Sequence, residues 1–149
     1  MKIVAVILIL LALSCGGVGR RSIPDGPVQY QVILAGAYSQ GKDYKIELIT
    51  DQAQWENAWL MARGKEEPLP AIPTMDFNKQ YVIAAFMGER TSSGYKIEIS
   101  SVTKHGPKLL VHVKKFETPG MLTVITNPYV LVRVPKGNYR LEVQEETVQ

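Results

Sequence analysis

The chain has 149 residues, 46% of them hydrophobic, and seventeen Lys and Arg against fourteen Asp and Glu, for a formal charge of +3. So small an excess, scattered except at Arg20-Arg21 and Lys114-Lys115, offers no basic stripe to nucleic-acid phosphates. The length suits one ordinary domain, and a single cysteine leaves no intramolecular disulfide and no thiolate cluster for a metal.

Met1 and Lys2 open the chain with positive charge, and Ile3 to Leu13 follow without a polar residue, the order of a secretory signal. Eleven apolar residues rise about 16 Å as a helix, against a hydrocarbon core of about 30 Å, too little for a permanent span. The segment ends Ala12-Leu13-Ser14-Cys15, which resembles the bacterial lipobox, where a small residue precedes a cysteine that takes a diacylglyceryl group. Ala12 stands where leucine is usual; the alternative is an ordinary signal cut near Ser14 with Cys15 a free thiol. As the only cysteine, Cys15 would be an orphan thiol in an oxidising compartment, and lipidation removes that liability. The expected organisation is therefore a signal peptide at 1–14, a lipidated cysteine and tether at 15–27, and one domain at 28–149. The mature protein would be exported and lipid-anchored in the cell envelope, in the outer membrane where the cell has one.

The tether reading rests on Gly16 to Gly26, which carries four glycines, two arginines and a proline with no apolar period. Period two then takes over. Val28, Tyr30, Val32 and Leu34 predict one strand face, and after a turn at Ser39 to Asp43, Tyr44, Ile46 and Leu48 predict another. Thr50 is placed to cap a helix over 51–63, with Asp51 in its first turn and Trp55 and Trp59 on one stripe. Gly64 ends that helix, and the proline-rich 65–73 follows as an extended loop. Tyr81 to Met87, apolar throughout, predicts a strand covered on both faces. Further strands are predicted at 95–103, 109–117, 129–134 and 139–144, with turns at His105-Gly106-Pro107 and Pro135 to Asn138. Seven strands and one helix give an α+β, mainly β fold: an antiparallel sheet, rolled or two-layered, with the helix packed on it through Trp55 and Trp59 and covering one opening.

No catalytic constellation stands out. His105 falls in a turn and His112 on a strand, without a second histidine or a carboxylate at ligand spacing, so neither a metal nor any other cofactor is expected. No carboxylate pair can be named as acid and base, although a triad assembled by the fold would make the protein a cryptic hydrolase. The segment that draws attention is the polar loop Glu89, Arg90, Thr91, Ser92, Ser93, Gly94, entered through Gly88 and left through Tyr95. Arg90 is its best carboxylate receptor and Tyr95 its aromatic anchor. Thr126-Asn127-Pro128-Tyr129 is a second polar connection, and Asn127, Pro128 and Tyr129 join the loop as expected partner-binding residues.

Asp76-Phe77, Met87-Gly88-Glu89-Arg90, Ser93-Gly94-Tyr95-Lys96-Ile97-Glu98-Ile99 and Thr126-Asn127-Pro128-Tyr129 with Val132 and Val134-Pro135 resemble, in order and spacing, the C-terminal domain of the protease complex subunit PrcB family. The resemblance covers about Asp76 to Pro135. It implies a non-enzymatic envelope protein that binds and stabilises a protease or its precursor, through the loop or through an edge strand. Where relatives carry a cysteine close after the glycine, this chain has Pro119-Gly120-Met121, so no redox role is implied there. Thr91 to Tyr95 is also similar to the Thr-Thr-Gly-aromatic loop of chagasin-type protease inhibitors, which makes inhibition the rival reading.

Overall fold

The computed structural model describes residues 22–149; the signal segment, Cys15 and the first part of the expected tether lie outside the described residues. In chain order the elements are β1 (Gly26–Pro27), β2 (Gln31–Gly36), β3 (Lys45–Ile49), α1 (Gln52–Arg63), β4 (Gln80–Phe86), β5 (Lys96–His105), β6 (Lys108–Phe116), β7 (Tyr129–Pro135) and β8 (Arg140–Val148). They form two four-stranded sheets, ordered β1-β5-β6-β8 and β2-β7-β4-β3.

The alternation of β4 explains the layering. Ile83 and Ala85, continued by Met87, face the first sheet, where Ile97, Ile99, Val102, Leu109, Val111 and Val113 meet them. Val82, Ala84 and Phe86 face the other way, into a second cluster with Trp55, Trp59 and Leu131. A strand apolar on both faces needs a layer on each. The helix therefore lies on the outer face of the second sheet, as a third layer. The two-layered alternative and the packing of the helix on a sheet through Trp55 and Trp59 hold, while its expected place over an opening is corrected to the outer sheet face.

Local chemistry sets the ends of α1. Asp51, extended at φ −144° and ψ 168°, accepts from Gln54 N at 2.9 Å, and the Gln54 side chain accepts from Thr50 N at 2.9 Å. The cap is thus the carboxylate of Asp51 and not the Thr50 hydroxyl: the ionised acceptor one residue on satisfies the orphan N–H better. Gly64 N donates to Leu60 O at 2.7 Å and closes the last turn. The proline-rich stretch that follows is built in: Pro73 O accepts from Trp55 Nε1 at 2.8 Å and Pro70 O from Trp59 Nε1 at 3.4 Å. Both indoles are buried with their polar handles satisfied.

Three further readings change. The strands among the described residues number eight, because Gly26–Pro27, within the segment read as tether, pairs with Thr103 and Lys104 on the edge of β5. Asp25 reinforces that pairing by accepting from Lys104 Nζ at 2.7 Å and Gly106 N at 3.0 Å. Val32 does not join Val28 and Tyr30 in the core: β2 shifts register between Val32 and Leu34, leaving Val32 half exposed and turning Ile33 and Leu34 towards the tryptophans. Lastly, β8 lies parallel to β6 from Arg140 to Val148, beyond the predicted end at Gln144. Parallel neighbours need a crossover, and β7, lodged in the opposite sheet, supplies it.

Trp55 is the fully buried hinge between helix and sheet. Trp55→Ala is expected to lower the unfolding free energy by about 3 to 5 kcal/mol, the usual cost of emptying such a site, with an unchanged denaturant slope in a urea titration.

Candidate functional site

The predicted loop leaves β4 at its carboxyl end and is held against the connection between β6 and β7. Arg90 and Thr126 exchange two backbone hydrogen bonds, N to O at 2.8 and 2.9 Å, and Ser93 N donates to Leu122 O at 2.9 Å. Thr126 Oγ1 donates to Ser92 O at 3.0 Å. Gly94, at φ +92°, passes so close to Thr118 O and Gly120 N that a Cβ would overlap them. Gly88, at φ +81°, turns the chain under Lys42 and Tyr44. Glycine at both ends is thus a backbone requirement, as the sequence suggested. The result is a bracket of two crossed loops pinned to each other where Arg90 meets Thr126 and Ser93 meets Leu122 and Gly120.

The ten predicted residues divide in two. Glu89, Thr91 and Gly94 are exposed, and Arg90, Ser92, Ser93 and Tyr95 are half-buried. The Arg90 guanidinium stands 5.7 Å from the centre of the Tyr95 ring, and its Nη2 lies 3.5 Å from Glu117 Oε1. A partner carboxylate would meet Arg90 at this half-exposed pair, whose own worth is at most about 1 kcal/mol.

Asn127, Pro128 and Tyr129 are buried beneath the bracket and do not present themselves to a partner. Asn127 N donates to Ala37 O at 2.7 Å, its carbonyl accepts from Ser39 N and Oγ, its Nδ2 donates to Gly41 O at 3.0 Å and its Oδ1 accepts from Lys65 Nζ at 3.0 Å. Gln40 N, in the same turn, donates to Met61 O at the end of α1. One asparagine thereby binds the β2–β3 turn and the segment after the helix to the start of β7. Tyr129 stacks on Phe86 with ring centres 6.2 Å apart.

Sequence reasoning overlooked Met121, Leu122 and Ile125, which are 100%, 67% and 57% exposed in the same bracket. Tyr38, bridged to Asn127 through the backbone, adds an exposed ring at this end. The signal was available: four of the five residues from Met121 to Ile125 are apolar, without a strand assignment. An apolar cluster of this kind beside a polar rim is the anatomy of a contact surface.

Below the bracket the two sheets are latched. Glu145 of β8 accepts from the Tyr44 hydroxyl and, at 2.7 Å, from Lys115 Nζ, whose ammonium stands 5.2 Å from the Tyr44 ring centre. Burial, then the Glu145 carboxylate, raises the Tyr44 pKa far above its ordinary 10.0, while Lys115 and then Tyr44 hold Glu145 below its ordinary 4.5. The histidines lie elsewhere, His112 opposite Ser101 on the outer face of the first sheet and His105 in the turn beside Asp25. Among the described residues there is no cluster of three or more His, Cys, Asp or Glu able to hold a metal ion, and no helix is long and apolar enough to cross a membrane.

Residues 81–135 match the family described as PrcB C-terminal, a span running from β4 through the bracket to the end of β7. The resemblance read from Asp76 to Pro135 holds over that segment. No curated protein and no solved structure matches the chain.

Asn127→Ala should strand Gly41 O and free the Lys65 ammonium, lowering stability by about 1 to 3 kcal/mol, as measured by chemical denaturation. The latch has its own pH window. A raised Tyr44 pKa stabilises below 10.0 and is lost as pH climbs through the folded value; a lowered Glu145 pKa stabilises above 4.5 and is lost as pH falls through the folded value. The melting-temperature gap between wild type and Tyr44→Phe is therefore expected to be flat from about pH 5 to 9 and to close above about pH 10.

Proposed function

We propose, from a chain whose residues 81–135 match the PrcB C-terminal family, a non-enzymatic, lipid-anchored envelope subunit that binds and stabilises a protease complex or its precursor through the crossed-loop end of the domain. The observation that carries this reading is the rigid bracket with Met121, Leu122 and Ile125 exposed and Arg90 beside them. Apolar side chains held out by a fixed backbone lose little freedom on binding, and the arginine adds directional recognition of a carboxylate. Such a surface costs solubility unless a partner covers it.

Placement of the two ends supports the anchoring half of the proposal. β5 starts beside the bracket at Lys96 and ends at His105, next to Asp25, so its ten residues, at about 3.3 Å each, separate the loops from the entering segment by about 33 Å. A lipid on Cys15 would hold the molecule by one end and leave the other for a protein partner.

Two variants measured together test this. Leu122→Asp is expected to keep the wild-type melting temperature within about 0.5 kcal/mol of stability, since the side chain has no core contacts to lose, yet to abolish co-purification of the partner protease from the organism's own membranes. Cys15→Ser should move the protein from the membrane to the soluble fraction. A Leu122→Asp protein that retains its partner removes the bracket from the interface, and one that relieves inhibition of the protease favours the inhibitor reading instead.

A further inference from the structure

The opposite end of the sandwich carries a cleft of about 860 Å³ between the ends of the two sheets, where Ser22 and Ile23 enter the domain. Three lysines line it, Lys79, Lys104 and Lys136, with the amides of Asn78 and Asn138, and no carboxylate does. Two of these lysines are paired with acids outside the lining: Asp76 lies 3.3 Å from Lys79 Nζ, and Asp25 accepts from Lys104 Nζ at 2.7 Å. Lys136 has no carboxylate partner among the described residues. Its ammonium uses one donor on Phe77 O at 3.1 Å and stands 5.7 Å from the Tyr81 ring centre, where Tyr139 meets that ring edge-on. An ammonium has three donors, so two remain for a ligand.

Asp76 and Asp25 offset the charge of Lys79 and Lys104, so the excess at the recess is the Lys136 ammonium, and the chemistry that satisfies its two spare donors is an anion with several acceptor oxygens. We propose that this cleft binds a phosphate group, with Lys136 as the central ligand, Lys79 at the rim and the two asparagine amides as neutral donors. Lys79, whose side chain is 83% exposed, can swing from Asp76 to a ligand at little cost, whereas Lys104, 15% exposed, is fixed. The Tyr81 and Tyr139 rings form an apolar wall for whatever the phosphate is attached to.

A phosphate here has two sources: the headgroup of an anionic lipid or a soluble phosphate. Arg20 and Arg21 directly precede the entering segment in sequence, and a headgroup in the cleft would seat the domain with its crossed loops turned outward. The site itself depends on neither lipidation nor the partner reading.

The test uses the full chain carrying Cys15→Ser, so that no acyl anchor contributes, in two arms. In the first, inorganic phosphate is titrated while the backbone amide resonances of Gly137 and Asn138 are followed. In the second, the protein is sedimented with phosphatidylglycerol vesicles and with vesicles of zwitterionic phosphatidylcholine. Saturable shifts in the first arm, or preferential sedimentation with the anionic vesicles in the second, are expected, and Lys136→Ala should weaken either by about fivefold, the worth of one lysine at an anionic surface. Lys96→Ala, at the far end of β5, removes the same charge and should leave binding unchanged; Lys79→Ala provides a second cleft variant should Lys136→Ala fold poorly. Vesicle binding without phosphate shifts assigns the lipid source, and the reverse assigns a soluble one. Absence of both, or equal losses from the cleft variants and Lys96→Ala, overturns the site.

Discussion

The structure depends on β4 being apolar on both faces. A strand carrying Val82, Ala84 and Phe86 on one side and Ile83 and Ala85 on the other cannot face water with either, so it must be the middle of three layers. Its neighbour β7 obeys the same constraint with Val130, Val132 and Val134 against Tyr129 and Leu131. The helix, the proline loop that accepts from its indoles, and the second sheet all follow as covers for these two strands. The core also fixes where the polar connections emerge, because the segment from Gly88 to Tyr95 begins where β4 stops and returns into β5 of the other sheet.

The loops at that end are rigid for a reason separate from the core. Backbone meets backbone at Gly94 and Gly120, and Arg90 with Thr126 forms a short antiparallel bridge. Backbone groups of Arg90, Ser93, Gly120, Leu122 and Thr126 are paired within the bracket, and Asn127 satisfies the groups below it. Among what is left facing outward are the apolar side chains of Met121, Leu122 and Ile125, with Glu89 and Thr91 exposed and Arg90 half-buried. This division of labour lets the surface vary without disturbing the fold, while the buried asparagine cannot be exchanged without stranding partners.

The domain is also polarised along its length. Apolar side chains project from the bracket, and lysines gather around the cleft at the other end, with a ten-residue strand between. Lys108 with Glu142 and Lys114 with Glu146 neutralise the outer face of the first sheet, so the two ends, and not the flanks, carry the chemically distinctive surfaces.

Periodicity alone determined most of the secondary structure, because a period of two or of 3.6 records which side of each element is dry. The doubly buried β4, the helix with its tryptophans, and the glycine-ended loop before Tyr95 were legible for that reason, and so was the family likeness. Periodicity does not record which dry faces meet. Only the tertiary structure decided that α1 backs a sheet instead of closing a roll, that β8 runs parallel to β6, and that Gly26–Pro27 joins an edge despite its linker composition. The site divides in the same way. Asn127 and Tyr129 looked like surface polarity because Asn-Pro usually marks a turn, yet the turn lies under another loop. Met121, Leu122 and Ile125 drew no attention in the sequence, because no period marks them, yet the crossing at Gly94 and Gly120 holds them outside. In both cases burial was set by contacts between segments far apart in the chain, Asn127 with Ser39, Gly41 and Lys65 and Gly94 with Gly120, which no local pattern encodes.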